Sequence, residues 1–173
     1  KQKTAYEIST RDWSSDVCSS DLEVTDINGV DETNQRVYYT MAWPRPMDRN
    51  LFVSDFTGKA SAALTRDSAW HRIELNTDFT QFFDYRSTIN QPNTASIHRI
   101  LFNKKKGWST QLIRMVSENT KLKSKLNEYG FGEATFLRIP NTKGDTLNSW
   151  MLKPANFRSE EHTSVLQSRV DIS

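Results

Sequence analysis

Apolar positions along most of the chain come in short runs with a period near two. Runs rich in Val, Tyr, Phe and Thr are bounded by Gly, Pro, Asn and Asp, the pattern of strands punctuated by turns. Val37-Tyr38-Tyr39-Thr40 is one such run, and 50–55 is a second, separated from it by the turn-forming Trp43-Pro44-Arg45-Pro46 and closed by Thr57-Gly58. Ala63-Leu64-Thr65 is a shorter candidate. From Trp70 the alternation is regular, with Trp70, Arg72 and Glu74 on one side and His71, Ile73 and Leu75 on the other. Phe79, Phe82, Phe83 and Tyr85 follow Asp78, and aromatics that dense call for a sheet face to cover them. Strands at this spacing are shared by sandwiches, barrels and propeller blades, so periodicity does not choose among them.

Near residue 117 the period changes. Leu122, Leu126 and Tyr129 repeat at helical spacing, Ser117 is the expected N-cap, and Gly130 stands where a helix end favours a left-handed residue. Lys121, Lys123 and Lys125 are read as the solvated face of this helix. Strands return at 134–139 and 147–153 around the polar turn 140–145, a hairpin pattern. A domain junction is expected between 117 and 133.

Both ends differ from the middle. Residues 1–22 (KQKTAYEISTRDWSSDVCSSDL) and 158–173 (RSEEHTSVLQSRVDIS) resemble translated sequencing-adapter DNA, and fold reasoning sets them aside. The whole chain of 173 residues has 23 Lys and Arg against 21 Asp and Glu, and without the two flanks, which hold five basic and seven acidic residues, the net charge of +2 becomes +4. So small and dispersed a charge does not point to nucleic acid. The mean hydropathy of −0.69, with no run near the ~18 apolar residues of a membrane helix, predicts no membrane span in this chain. Cys18, Trp13 and His162 fall in the flanks, which leaves no cysteine for a disulfide or thiol chemistry and leaves His71 and His98 as the histidines to consider.

The segments VYYTMAWPRPMDRNLFVSDFTGK (37–59), ALTRDSAWHRIEL (63–75), FFDYRSTINQP (82–92), LIRMVSENTKLKSKL (112–126) and FLRIPNTKGDTLNSWMLKPANF (136–157) together resemble dipeptidyl peptidase IV of the prolyl oligopeptidase group of serine peptidases, in its bacterial form. The resemblance is most specific at 147–154. It implies a mainly β chain: the last blades of an incomplete β-propeller over 23–116, a linker with a helix over 117–133, and the first β-hairpin of a truncated α/β-hydrolase domain over 134–157. The stretch 98–110, with Lys104, Lys105 and Lys106, departs from the family in being longer and more basic than a short blade turn, as an inserted loop or a reading error would make it. Two blades cannot close a ring, so Phe79, Phe82, Phe83 and Tyr85 are expected to be partly wet and the chain to lack a cooperative melt.

Peptide hydrolysis of this kind needs a Ser nucleophile in a G-x-S-x-G elbow, a His base, an Asp to orient it and oxyanion donors. The resemblance places these beyond the region where this chain ends, so no catalytic, cofactor-binding or metal-binding residue is assigned and no cofactor is expected. Gly107-Trp108-Ser109-Thr110-Gln111 imitates the start of the elbow, but Gln111 stands where Gly is needed for close backbone approach, and Ser109 reads as a turn or blade residue. His71 and His98 read as blade or loop residues without a Ser or carboxylate constellation visible in the sequence. The family's substrate-amine site uses paired Glu residues, and the adjacent pair here, Glu160 and Glu161, lies in the adapter-like flank. Gly130-Phe131-Gly132 lacks the third glycine and the preceding strand of a dinucleotide site. The resemblance implies peptide substrates that begin with Xaa-Pro or Xaa-Ala and lose that N-terminal dipeptide to the full-length parent, a periplasmic or cell-surface location and room for a homodimer. The alternative is a self-contained β-rich binding or scaffolding module without peptidase ancestry.

Overall fold

The computed structural model describes residues 23–154, which divide into two units. The adapter-like flanks, with Cys18, His162, Glu160 and Glu161, lie outside the described residues.

The first unit runs to Asn119, apart from Ile89–Pro92. It holds two four-stranded antiparallel meanders. In the first sheet β1 (Val24–Asp31), β2 (Arg36–Met41), β3 (Asn50–Asp55) and β4 (Ser61–Ala63) lie side by side in chain order. In the second, β5 (Trp70–Leu75), β6 (Gln81–Thr88), β7 (Gln91–Asn103) and β8 (Gly107–Ser117) do the same. The strand runs at 37–40, 50–55 and 70–75 are found where the alternation puts them. The run at 63–65 moves back to 61–63, because Thr65 leaves the ladder and its hydroxyl accepts from Leu51 N at 2.9 Å.

Alternation decides the core. Tyr38 opposes Val53 and Thr40 opposes Leu51 on one face of the first sheet, while Tyr39 opposes Phe52 on the other. Tyr38, Leu51, Val53 and Leu64 pack with Ile73, Phe82 and Ile100 of the second sheet, and Phe79 and Trp108 close the margin. Val37, Tyr39 and Phe52 form a separate cluster with Val24, Val30, Met41 and Trp43 on the first sheet's other face. A side chain such as Leu51, 0% exposed, contributes on the order of 2 kcal/mol by burial alone. Phe82, expected to be partly wet, is 1% exposed: the two sheets cover each other without a closed ring. Phe79, Phe83 and Tyr85 are half-buried.

Two strands escape the simple pattern. β1 carries Asn28-Gly29, ordinarily a turn signal, yet stays in the sheet through irregularities in its register between Val24 and Asp26 and between Ile27 and Gly29. The bulged Asn28 accepts a 2.7 Å bond from the Thr40 hydroxyl through Oδ1. Gly29 is needed because a Cβ there would come within 2.6 Å of the Phe79 ring, itself stacked on Tyr38 at 5.4 Å. The basic stretch 98–110 is strand and tight turn. β7 continues to Asn103, whose Oδ1 accepts from Lys105 N and Lys106 N at 2.8 and 3.2 Å, and Gly107 at φ +76° starts β8, so three lysines make a tight hairpin turn. Behind that turn Phe102 and Trp108 pair at 4.8 Å, with the Arg36 guanidinium 4.6 Å from the Trp108 ring.

The second unit comprises Ile89–Pro92 and the chain from Thr120 onward. Helix α1 (Thr120–Glu128) begins after Asn119, not after Ser117, which belongs to β8. Asn119 takes φ +52° and its amide donates to Asn93 O, fixing the strand-to-helix turn two residues later than the expected cap. The helix ends as expected, at Gly130 with φ +63°. β9 (Ala134–Pro140) and β10 (Thr146–Leu152) pair in full register around a turn in which Asn141 Oδ1 accepts from Lys143 N and Asp145 N at 2.8 and 2.9 Å. Asn90 brackets Ala134, accepting from its N–H at 2.8 Å and donating to its carbonyl at 2.9 Å.

Candidate functional site

The densest polar chemistry among the described residues lies inside the second sheet. Ile73 opposes Asp84 and His71 opposes Arg86, so strand alternation puts His71, Asp84 and Arg86 on one face of β5 and β6. His71 Nδ1 is 2.9 and 3.0 Å from the two oxygens of Asp84, and His71 Nε2 is 2.9 Å from Asp67 Oδ1 in the segment before β5. Arg86 Nε donates to the other oxygen of Asp67. His71 and Asp84 are both buried, whereas Asp67 is half open to solvent.

Ionised carboxylates only accept hydrogen bonds, so both ring nitrogens of His71 must donate and the ring is an imidazolium. Burial opposes that charge, but the bonds to Asp67 and Asp84 outweigh it and push the His71 pKa up to about 9. The same bond from His71, reinforced by Arg86, holds the Asp67 carboxyl well below the usual carboxylate range despite the cost of burial. Two cations and two carboxylates thus neutralise one another.

His98 lies on β7, stacked on Phe82 at 5.1 Å and sharing a 2.9 Å hydrogen bond between Nε2 and Ser96 Oγ. Burial holds His98 below its ordinary pKa. A Ser and a neutral His in contact meet one requirement of a nucleophile and base, but Ser96 is buried in mid-strand, away from any strand-to-helix elbow. Both histidines therefore have partners that the sequence reading did not assign. Asp84 is thirteen residues from His71 and meets it only through strand pairing, whereas Ser96 stands at i−2 from His98 on one strand, where the two-residue spacing could have been read.

Ser109 of β8 pairs with Leu101 of β7 and is exposed, so Gly107-Trp108-Ser109 is the start of a hairpin strand. Lys121 and Lys125 are exposed and Lys123 half-buried on α1. No group of three His, Cys, Asp or Glu among the described residues is placed to hold a metal ion: the His71 nitrogens, both carrying protons, offer no lone pair. No helix among the described residues is long and apolar enough to cross a membrane.

Comparison with known proteins gives the lineage. A probable dipeptidyl peptidase 4 of Aspergillus flavus is 24% identical over 150 residues, covering 84% of this chain and 18% of the relative. The crystal structure of Porphyromonas gingivalis dipeptidyl peptidase 4 superposes with a TM-score of 0.69 at 23% identity, covering 81% of this chain and 19% of that one. The chain therefore spans about a fifth of the length of these relatives. The family model described as the dipeptidyl peptidase IV (DPP IV) N-terminal region matches residues 4–93, a span that starts inside the adapter-like segment 1–22. With that match over more than half its length, two packed four-stranded meanders and the fold of a solved dipeptidyl peptidase 4, the chain belongs to the dipeptidyl peptidase IV N-terminal region family.

Proposed function

We propose that this chain is propeller scaffold of a serine-type dipeptidyl peptidase that releases N-terminal Xaa-Pro or Xaa-Ala dipeptides, and that the chain itself does not cleave peptides. On this reading the two meanders are blades from the end of the propeller, α1 lies in the linker, and β9–β10 opens the α/β-hydrolase domain. Its role is to support and wall a site whose reacting groups lie elsewhere in the parent. The observation that carries the reading is the family match at 4–93. That match also tells against a β-rich module without peptidase ancestry. The polar groups present fit a supporting role, since His71 is charged and saturated, Ser96 is buried and Ser109 sits in a sheet edge strand.

The test is hydrolysis of a Gly-Pro-chromophore substrate by the purified 173-residue chain between pH 5 and 10. The expected result is no product above the buffer blank. Turnover abolished by a serine-directed inhibitor and by Ser109→Ala or Ser96→Ala would overturn the reading.

A further inference from the structure

The segment 64–69 carries the chain from the first sheet to the second, and it is tied on both sides. Toward the first sheet, the Asn50 amide donates to Asp67 O at 3.0 Å and to Trp43 O at 2.6 Å, and the Thr65 hydroxyl donates to Asn50 Oδ1 at 2.8 Å. Arg49 N and His71 N add backbone bonds to Ala69 O and Arg49 O at 2.9 and 3.1 Å. Toward the second sheet the Thr110 hydroxyl of β8 donates to Leu64 O at 3.1 Å at the start of the segment, and at its far end the tie is the Asp67 carboxylate, on His71 Nε2 and Arg86 Nε.

We propose that the His71 imidazolium is a latch: its charge, held between Asp84 and Asp67, fastens the Asp67 end of the crossover 64–69 against β5, and loss of its proton parts Asp67 from the ring and loosens that end, which Arg86 alone then holds to the second sheet, while both sheets stay folded.

The asymmetry of the two carboxylates decides which contact gives way. A neutral imidazole keeps one N–H. Asp84 is buried and faces Nδ1 with both oxygens, so leaving it without a donor is costly, and the remaining proton stays on Nδ1. Nε2 then turns a lone pair toward Asp67, and donor and acceptor become two acceptors. Asp67 is half open to water and retains Arg86, so it can leave the ring cheaply. The charged and titratable groups facing the ring are Asp67 from the crossover, Asp84 and Arg86 from β6, and His98 from β7, the last discouraged from holding a proton by burial and by His71 itself. The ring's hold on its proton up to about pH 9 places the release on the alkaline side.

Nitrogen-15 NMR of the histidine rings in the full chain, followed from pH 7 to 10.5 together with backbone amide shifts, tests this. At pH 7.5 both His71 nitrogens should be protonated. The amides of Asp67, Ala69 and His71 should move with the same midpoint as the ring, near pH 9, while those of Tyr39 and Val53 in β2 and β3 stay in place. Asp67→Asn should lower the ring midpoint by roughly one pH unit or more. A neutral ring at pH 7.5 would overturn the proposal, as would crossover amides that ignore the ring titration or that move only together with β2 and β3. The wild-type titration decides the matter even if the variant does not fold.

Discussion

The two units are built from similar sequence and reach opposite ends of burial. β3 (NLFVSD) and β10 (TLNSWML) are both short strands carrying large apolar side chains. In β3 the first five residues are buried, because the second sheet covers one face and Tyr39, Trp43 and Met41 the other. In β10 none is buried: Leu147, Trp150 and Leu152 are exposed, as are Phe136 and Ile139 opposite them, and Ala134 is the unit's one buried hydrophobic among the described residues. A strand pattern specifies a face, and only a second layer turns that face into a core. A lone two-stranded hairpin is marginal in water, whereas two four-stranded sheets bury each other.

The contrast is open to attack. The largest effect should come from Phe82→Ala, which empties the centre of the first unit's core at a cost of about 3–5 kcal/mol, measured as a lowered midpoint of chemical unfolding followed by circular dichroism. The absence of a cooperative melt, expected from the sequence for two unclosed blades, gives way here to the opposite prediction: with Phe82 buried between the sheets the first unit should unfold cooperatively, and a melt with no sigmoidal component would contradict the sheets' mutual burial.

Next in size is the pH dependence of that transition. The His71 pKa is raised on folding, so its stabilisation is complete below about pH 6.5 and disappears as pH rises through about 9. The Asp67 pKa is lowered, so its share is present above the usual carboxylate range and lost on acidification. Unfolding midpoints across pH 3–10 should peak between about pH 4 and 6.5 and decline on the alkaline side by roughly 2–3 kcal/mol. His71→Gln should flatten that alkaline limb.

A smaller loss, about 1–3 kcal/mol, is expected from Gly29→Ala. The added methyl meets the Phe79 ring at 2.6 Å, and the ring is pinned by Tyr38 and by its own φ of +54°. The smallest effect belongs to Trp150→Ala. With Trp150 62% exposed, it should leave the main unfolding midpoint within about 0.5 kcal/mol. A larger shift would mean that the second unit carries more of the stability than its burial suggests.

Strands β2, β3 and β5, the helix with its Gly130 end and the β9–β10 hairpin were legible in the sequence because each has a clear period and clear stops. β1 was not, since Asn28-Gly29 reads as a turn and its place in the sheet depends on Phe79, fifty residues later. β7 was obscured by Gln91-Pro92-Asn93 at its start and three lysines at its end, although Pro is tolerated at the margin of a strand. The adapter-like reading of the ends and the assignment of 134–157 to a hydrolase domain rest on resemblance alone. The His71 cluster illustrates the general difficulty: its chemistry comes from residues 67, 71, 84 and 86, gathered by register and unmarked by any motif.

The sequence discontinuity of the second unit has one consequence for dissecting the molecule. Ile89–Pro92 cluster with it while their chain neighbours on both sides cluster with the first, so no single scissile point separates the two bodies. A polypeptide cut after Asn119 would lose Ala134 and leave the Asn90 amide facing a backbone that is gone. Proteolytic mapping or domain shuffling that treats residue 119 as a clean border would damage both products.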